Sequence, residues 1–319
     1  MNPFSSRCSK NFALLRYFGI GYNGNMINPV PRVAAIHDLS GFGRASLTVV
    51  IPILSTMGTQ VCPLPTALLS THTSDFTDYH ITDLTRDMKG IIRHWKELNL
   101  RFDAVYSGFL GSPEQIRIVS DFITHFGKPE GNEKPLIVVD PVMGDDGVTY
   151  GPIGPEMIQG MKELIKRADI ITPNLTEAAF LLDRKLPSEI SLEEAKAWAR
   201  ELSDRGPRVV IITSVPLKEH PNTTGTLALD REDGRYWMVR CSYVPAFFPG
   251  TGDIFTSVIT GSLLQGDSLP IAMDRAVQYV SITIRASFGH RFPLREGVLL
   301  ERTLDTLRAP VTAATYELL

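Results

Sequence analysis

The most constraining feature of the chain is the alternation of short β-branched runs with helical patterns from Val33 onward. The strand-like runs RVAAIH, AVYSG and LIVVD are each followed by a segment of helical period. The runs 136–139 and 209–212 are apolar throughout, which is typical of parallel strands covered by helices on both faces. The alternation therefore predicts an α/β fold with a mostly parallel central sheet and helices on both of its faces.

The pattern changes after Thr213. TLALD and YWMVR, joined by the turn-forming REDG, predict a small antiparallel hairpin that overhangs a site. From Gly252 onward the pattern is mostly helical. Because no repeat or linker divides the chain, we predict one domain over residues 32–308 and a C-terminal tail over residues 309–319.

Residues 1–31 differ from the rest of the chain. Basic and aromatic residues are scattered among glycines and asparagines, and Arg16 interrupts the apolar run 12–20, which argues against a signal peptide. We expect this extension either to be disordered or to result from a start codon assigned upstream of Met26. An organellar presequence stays open as an alternative.

Charge and cysteine content exclude several classes of partner. A net charge of -3 provides no basic field for nucleic acid, and no stretch approaches the roughly 18 apolar residues of a membrane span. The three cysteines form no CxxC pair, so neither a disulfide framework nor a zinc site is indicated. We therefore expect a protein of the reducing cytoplasm with a small-molecule partner.

Polar residues that directly follow strands are the first candidates for a site, because ligands of open α/β sheets bind beyond the carboxyl ends of the strands. HDLSGFGRAS (37–46) resembles a dinucleotide fingerprint, but QVCPLPT supplies no acid for a ribose, so NAD binding is not expected. His37 and Asp38 are candidates for substrate hydrogen bonds, against the alternative of a plain glycine turn. LLSTHTSDF and YSGFLGS add Thr73 and Tyr106, in segments that alone are more typical of turns.

Two further segments contain candidate ligands for a cation. In DPVMGDDG, Asp140 ends an apolar strand, where it either faces a cation or water network or begins an Asp-Pro turn. In ITPNLTEAAFLL, Asn174 and Glu177 have the spacing of a capping box. Glu177 is equally compatible with a magnesium ion bound through water.

The segment FFPGTGDIF (247–255) begins a predicted helix. Its glycines allow backbone amides to approach an anion, such as a phosphate in transfer, at the positive end of the helix dipole. Asp253 is then a candidate general base, with helix capping as the structural alternative. The pattern GxxxxGK[ST] is absent, so a P-loop is excluded.

PGTGD, preceded in order by DPVMGDDG and TPNLTEA, resembles the vitamin B6 kinase branch of the ribokinase-like superfamily. AAIHDLSGFGRASL, LPTALLSTHT and YSGFLGS are most similar to the bacterial pyridoxal/pyridoxamine kinases, and the resemblance covers residues 32–307. It implies transfer of the ATP γ-phosphate to the 5′-hydroxymethyl group of pyridoxal, pyridoxamine or pyridoxine in B6 salvage. It also implies magnesium, potassium stimulation in many members, and a cytoplasmic homodimer.

The resemblance assigns a role to each candidate residue. Asp253 is the base, and the amides of Gly250, Thr251 and Gly252 form the anion hole. The vitamer side comprises His37, Asp38, Thr73 and Tyr106. The ATP side comprises Asp140, Asn174, Glu177, Thr213 and Ser214, of which Asp140 and Glu177 are the expected metal ligands.

One residue departs from the family pattern, since many pyridoxal kinases have serine where this chain has Asp38. An acid there could favour an aminomethyl group or a protonated ring over an aldehyde, so the preferred vitamer stays open. Two other functions also stay open: phosphorylation of hydroxymethylpyrimidine in thiamine synthesis, and binding of B6 vitamers without catalysis. The TDPSGGAG-type opening of hydroxymethylpyrimidine kinases differs from IHDLSGFGR, which ranks that activity second.

Overall fold

The computed structural model describes residues 29–128, 134–216, 218, 223–309 and 314–319. Residues Pro31–Leu319 form one compact unit. Most of the extension predicted over residues 1–31 lies outside the described residues.

Helices and strands alternate along most of the chain. The strands are β1 (Arg32–Ser40), β2 (Gln60–Leu69), β3 (Ile81–Asp83), β4 (Ala104–Ser107), β5 (Leu136–Val139), β6 (Gly144–Asp145), β7 (Val148–Thr149), β8 (Ile170–Ile171), β9 (Val209–Val215), β10 (Thr223–Asp230), β11 (Arg235–Ser242) and β12 (Tyr316–Leu318). The α-helices are α1 (Leu47–Thr56), α2 (Thr85–Glu97), α3 (Pro113–Phe126), α4 (Pro155–Leu164), α5 (Leu175–Leu182), α6 (Leu192–Asp204), α7 (Thr251–Leu264) and α8 (Leu269–Phe288).

The main sheet has the strand order β12-β11-β10-β9-β8-β5-β4-β1-β2-β3. The six strands from β9 to β2 are parallel to one another, whereas β3 and the strands β10 to β12 pair antiparallel with their neighbours. This mostly parallel sheet confirms the predicted fold class. Because the parallel strands share one direction, their carboxyl ends lie along one edge of the sheet, where a ligand site is expected.

Apolar side chains fill both sides of the sheet. Val33 and Ala35 of β1 pack with α1, α7 and α8, whereas Ala34 and Ile36 of the same strand pack with α2 to α6 on the opposite face. This alternation along one strand explains why β1 is apolar almost throughout, since each face is covered by helices.

The C-terminal residues are part of the sheet. β12 pairs with β11, and Asp274 of α8 accepts hydrogen bonds from the amide and hydroxyl of Thr315, at 3.0 and 2.5 Å. The sequence predicted a C-terminal tail over residues 309–319, without assigning a strand to it. A three-residue strand is too short to produce a recognisable period in the sequence, and its position depends on Asp274, 41 residues earlier in the chain.

The predicted antiparallel pair is present as β10 and β11. Rather than standing over the site as a separate hairpin, the two strands extend the main sheet beyond β9. Within the described residues, no helix is both long and apolar enough to span a membrane.

Candidate active site

A cavity lies at the edge of the sheet where the parallel strands end, against the first turn of α7. It brings together segments that are as much as 215 residues apart in the sequence, from Asp38 to Asp253. Among the predicted site residues, those that line the cavity are Asp38, Thr73, Asp140, Asn174, Glu177, Thr213, Gly250, Thr251, Gly252 and Asp253.

Asp253 is the third residue of α7, but it does not cap that helix. The N-cap position is held by Gly250, which has no side chain to cap the helix and has the left-handed φ of 82°. Asp253 Oδ2 instead accepts a hydrogen bond of 2.8 Å from the backbone amide of Ser46, in the loop before α1. Its side chain is only 14% exposed. The structural alternative, in which Asp253 serves as a helix cap, is therefore not supported.

The surroundings of Asp253 suit a base. The pKa of its carboxyl is raised to about 7: burial raises the pKa most, the Ser46 amide opposes the rise, and the negative charge of Asp38 adds to it. A general base is most effective when its pKa lies near the working pH. Asp253 can therefore take a proton near neutral pH if an acceptor hydroxyl is held beside it.

The two glycines next to Asp253 have different roles. A Cβ on Gly250 would lie 2.3 Å from the carbonyl oxygen of Arg44, so glycine there permits close packing of two loops. Gly252 is exposed to the cavity, and a Cβ on it would meet only Asp140 Oδ2, at 4.0 Å. The first amides of α7 have no partner within the helix, so this turn is suited to hold an anion.

Glu177 combines two roles that the sequence left as alternatives. The capping box is present: Asn174 Oδ1 accepts from the Glu177 amide at 2.8 Å, and Glu177 Oε2 accepts from the Asn174 amide at 2.9 Å. Glu177 Oε1 also accepts from the Met143 amide at 3.1 Å. The same buried carboxyl lines the cavity, and its pKa is raised well above the usual range by burial and then by the charge of Asp140.

Asp140 lies directly after β5 and is almost fully buried. Its pKa is raised to about 8, first by burial and then by the charge of Asp253, while the hydroxyls of Thr172 and Thr256 oppose the rise. The Asp140 carboxyl thus lies in a region where negative charge is poorly compensated. A positive ligand is required to ionise such a group at low cost.

The donor set fits a divalent cation that binds through oxygen. Five carboxyl groups line the cavity (Asp38, Asp140, Asp145, Glu177 and Asp253), and none of the described lining residues is lysine or arginine. In the described part of the chain, no three acidic, histidine or cysteine side chains are clustered as a metal cage. Magnesium suits this arrangement, because it retains waters and binds one or two carboxylates together with substrate phosphates.

Asp38 accepts hydrogen bonds from the hydroxyls of Ser40 and Ser46, at 3.0 and 2.5 Å. Thr73 also lines the cavity. Both residues predicted for the vitamer side therefore share one cavity with Asp140 and Glu177.

His37 and Tyr106 do not line the cavity, contrary to the prediction. Both are fully buried, with ring centroids 4.4 Å apart, on the sheet face that packs against α7. His37 Nδ1 lies 3.8 Å from Asp253 Oδ1, and burial lowers the pKa of its ring to about 3, so the imidazole is neutral. The Tyr106 hydroxyl donates a hydrogen bond of 3.5 Å to the backbone carbonyl of Asp253, so both residues contact Asp253 from within the core. Their side chains point there because alternate residues of a strand face opposite sides of the sheet.

Ser214 also lies outside the cavity lining, although its neighbour Thr213 is part of it. Ser214 is exposed and has a φ of 56°. None of the described residues of β10 and β11 lines the cavity. Residues 247–249, shortly before α7, line the cavity instead.

His72 of LLSTHTSDF lines the cavity beside Thr73 in the sequence. Other lining residues were not predicted as site residues: Ser46, Tyr150, Thr172, Phe247 and Phe248. Ser46 is the last residue of HDLSGFGRAS, but that motif does not predict its hydrogen bonds to Asp38 and Asp253. The aromatic residues of FFPGTGDIF were quoted without a role. No local pattern indicates which of these side chains faces a cavity.

Comparison with known proteins identifies the family. Residues 50–297 match the model of the family described as phosphomethylpyrimidine kinase. The chain belongs to this family.

Among solved structures, a Bacteroides thetaiotaomicron protein described as a phosphomethylpyrimidine kinase is 55% identical, with a TM-score of 0.88, covering 93% of this chain and all of the other. A second crystal form of that protein, 56% identical over 91% of this chain and all of the other (TM-score 0.87), contains pyridoxal. Pyridoxal kinase from Lactobacillus plantarum is 30% identical, with a TM-score of 0.78, covering 88% of this chain and 97% of the other.

A curated relative, pyridoxal kinase PdxY of Paraburkholderia xenovorans, is 29% identical over 268 residues, which is 80% of this chain and 88% of the relative. Together these similarities confirm the predicted relationship to the pyridoxal kinases of the ribokinase-like superfamily. They also confirm that the chain is an enzyme of the kinase class.

Proposed function

We propose that the protein transfers the γ-phosphoryl group of ATP to the 5′-hydroxymethyl group of B6 vitamers. The observation that carries this function is the position of Asp253, a buried carboxyl beside the open first turn of α7 that is oriented by Ser46 and does not cap its helix. A similar protein, 56% identical, contains pyridoxal in one crystal form. The geometry and this similarity point to the same class of acceptor.

In the proposed reaction, Asp253 removes the proton of the hydroxymethyl group as its oxygen forms a bond to the γ-phosphorus. The bond between that phosphorus and the β,γ-bridging oxygen breaks, and ADP leaves with the electron pair. The amides of Gly250, Thr251 and Gly252, at the start of α7, stabilise the charge on the transferring phosphoryl group. These amides are fixed before substrate binds, so little reorganisation is needed.

The ATP side is assigned to Asp140, Asn174, Glu177 and Thr213, which lie together in the cavity lining. Asp140 and Glu177 would hold magnesium, which when bound neutralises part of the phosphate charge. Asn174 positions Glu177 through the reciprocal capping bonds. Ser214 is exposed beside this region and is left without a role in the proposal.

Three parts of the prediction stay predictions. Potassium stimulation, a homodimer and a cytoplasmic location are implied by the resemblance alone. Binding of nucleic acid is not expected, because the cavity is acidic and the chain has a net charge of -3.

A second activity, phosphorylation of hydroxymethylpyrimidine, is favoured by one observation, the match of residues 50–297 to the phosphomethylpyrimidine kinase family model. Both acceptors present a primary hydroxymethyl group on a heteroaromatic ring. The same base and anion hole could therefore serve either of them, and the choice depends on the substrate side of the cavity.

One assay separates these functions. Purified protein is given MgATP with pyridoxal, pyridoxamine, pyridoxine or hydroxymethylpyrimidine, and ADP release is followed. We expect turnover with at least one B6 vitamer and none without divalent cation. Turnover on hydroxymethylpyrimidine alone would assign the second activity, and binding of a vitamer without turnover would assign a silent relative.

A further inference from the structure

Ser46 donates hydrogen bonds to two carboxyl groups that line the cavity. Its amide donates to Asp253 Oδ2 at 2.8 Å, and its hydroxyl donates to Asp38 Oδ1 at 2.5 Å. Asp38 and Asp253 lie 215 residues apart in the sequence and both line the cavity. Ser46 therefore connects the proposed base to the acid on the substrate side through two independent hydrogen bonds.

The backbone of Ser46 is strained for any residue except glycine. Its φ of 53° and ψ of -133° lie in a region that residues with a Cβ rarely occupy. Ser46 also precedes α1, where a serine side chain normally accepts a hydrogen bond from the first turn, but no such cap bond is present. Glycine would suit this backbone better, and what glycine cannot supply is the hydroxyl bonded to Asp38.

The surroundings of Asp38 indicate what that hydroxyl does. Burial raises the pKa of Asp38, whereas the hydroxyls of Ser46 and Ser40 lower it. Hydroxyl donors favour the ionised carboxylate, because they can donate to it but gain little from the neutral acid. Ser46 donates to Oδ1 and Ser40 to Oδ2, and the backbone amide of Asp38 itself also lowers the pKa. Because an ionised carboxylate has about four acceptor sites, it can still accept a hydrogen bond from a ligand.

The charge of the cavity indicates the ligand group that Asp38 would accept. No lysine or arginine is present among the described lining residues, and His72 is the one lining residue that lowers the pKa of Asp38 through its charge. Burial lowers the pKa of His72 itself, which favours its neutral form. A carboxylate in these surroundings is best compensated by a cation carried by the substrate.

We propose that Ser46 is a specificity-determining positioning residue, whose hydroxyl holds Asp38 towards the ammonium group of an amine substrate while its amide separately orients Asp253. This inference rests on the proposed function. Among the B6 vitamers, pyridoxamine carries a primary amine where pyridoxal carries an aldehyde. The network of Ser46 and Asp38 therefore favours pyridoxamine over pyridoxal.

Two substitutions of Ser46 separate the effect of its hydroxyl from the effect of its backbone strain. Ser46→Gly and Ser46→Ala both remove the hydroxyl and keep the amide on Asp253, but only glycine relieves the backbone. The kcat and KM of each variant are measured with pyridoxamine and with pyridoxal, and the Kd of each vitamer is measured by calorimetry. For Ser46→Gly we expect a higher Tm, a kcat within about twofold of wild type, and a KM for pyridoxamine raised about tenfold.

The KM for pyridoxal should change by less than about threefold in both variants, because an aldehyde makes no ion pair with Asp38. Ser46→Ala should show the same selectivity as Ser46→Gly with a lower Tm. A matched control is Asn99→Gly, since Asn99 is exposed, has a φ of 51° and lies outside the cavity lining. That variant should alter stability without altering either KM.

A double-mutant cycle tests whether the effect acts through Asp38. In the Asp38→Asn background, Ser46→Gly should cause no further rise in the KM or Kd of pyridoxamine, because the charged partner is already absent. Additive effects would overturn the proposal, as would equal changes for both vitamers or a fall in kcat without a change in KM. Absence of turnover in wild type would refute the proposed function, and the calorimetric Kd values would still decide the role of Ser46.

Discussion

Replacement of Asp253 by asparagine should move activity and stability in opposite directions. Asparagine keeps the shape of the side chain and an oxygen for the Ser46 amide, but it cannot accept the substrate proton. We expect kcat to fall by about 10²- to 10⁴-fold, the usual contribution of a general base. At the same pH we expect the folded protein to become more stable.

The gain in stability follows from the raised pKa of Asp253, about 7 in the folded protein against a usual value of 3.8. The folded state binds the proton more tightly than the unfolded state, so ionisation of Asp253 costs stability as the pH rises from about 4 to about 7. Above that window the cost is complete, and it corresponds to about 4 kcal/mol. Asparagine carries no charge and escapes this cost.

The assay is chemical denaturation of both proteins at several pH values, together with kcat under saturating MgATP and vitamer. The free energy of unfolding of the variant should exceed that of wild type, and the difference should widen by roughly 2 kcal/mol between pH 5.5 and pH 8. A variant that loses stability at pH 8 as well as activity would refute the reasoning. That outcome would return Asp253 to the role of a structural residue of α7.

Asp87 offers a matched control, because it is also the third residue of its helix, α2, and is exposed on the surface. Asp87→Asn should leave kcat unchanged. It should reduce stability by less than about 1 kcal/mol, through loss of an acid near a helix N-terminus. The comparison separates the effect of an acid at this helix position from the effect of the active-site environment.

Two further predictions concern the neighbours of Asp253. Gly252→Ala should abolish most activity but leave the free energy of unfolding within about 1 kcal/mol of wild type, because its Cβ would enter the open cavity. Gly250→Ala should instead lower the free energy of unfolding by more than about 2 kcal/mol, because its Cβ would lie 2.3 Å from the Arg44 carbonyl oxygen at a φ of 82°. Equal unfolding free energies for the two variants would contradict this distinction. Glu177→Gln retains a side chain suited to the capping box, so its Tm should stay within a few degrees of wild type. The magnesium concentration needed for half-maximal rate should rise. An unchanged magnesium titration would show that the role of Glu177 is limited to helix capping.

Much of the site was predictable from the sequence because chemical groups at the ends of strands share one edge of a parallel sheet. Asp140 was assigned to that edge because it directly follows an apolar run, and Glu177 because its segment follows the next run along the chain; both line the cavity. The capping box at Asn174 followed from spacing alone, since it is a contact within one helical turn.

His37 and Tyr106 show where this reasoning fails. They were predicted to lie at the ends of strands, but His37 lies within β1 and Tyr106 within β4, and both side chains are buried in the core. Position after a strand locates a residue at the correct edge, whereas the side-chain direction depends on the pleat and on which helix packs there. Ser214 lies outside the cavity lining although its neighbour Thr213 is part of it.

The sequence by itself determined the α/β class, the kinase family and the segment that begins α7, because these depend on local periodicity and on motifs that occupy contiguous residues. The tertiary structure decided how Asp253 is used. Its carboxyl bonds to Ser46, 207 residues away, and the burial that raises its pKa comes from elements distant in the chain. Long-range hydrogen bonds and desolvation exist only once the chain is folded, so no local pattern could distinguish a base from a cap.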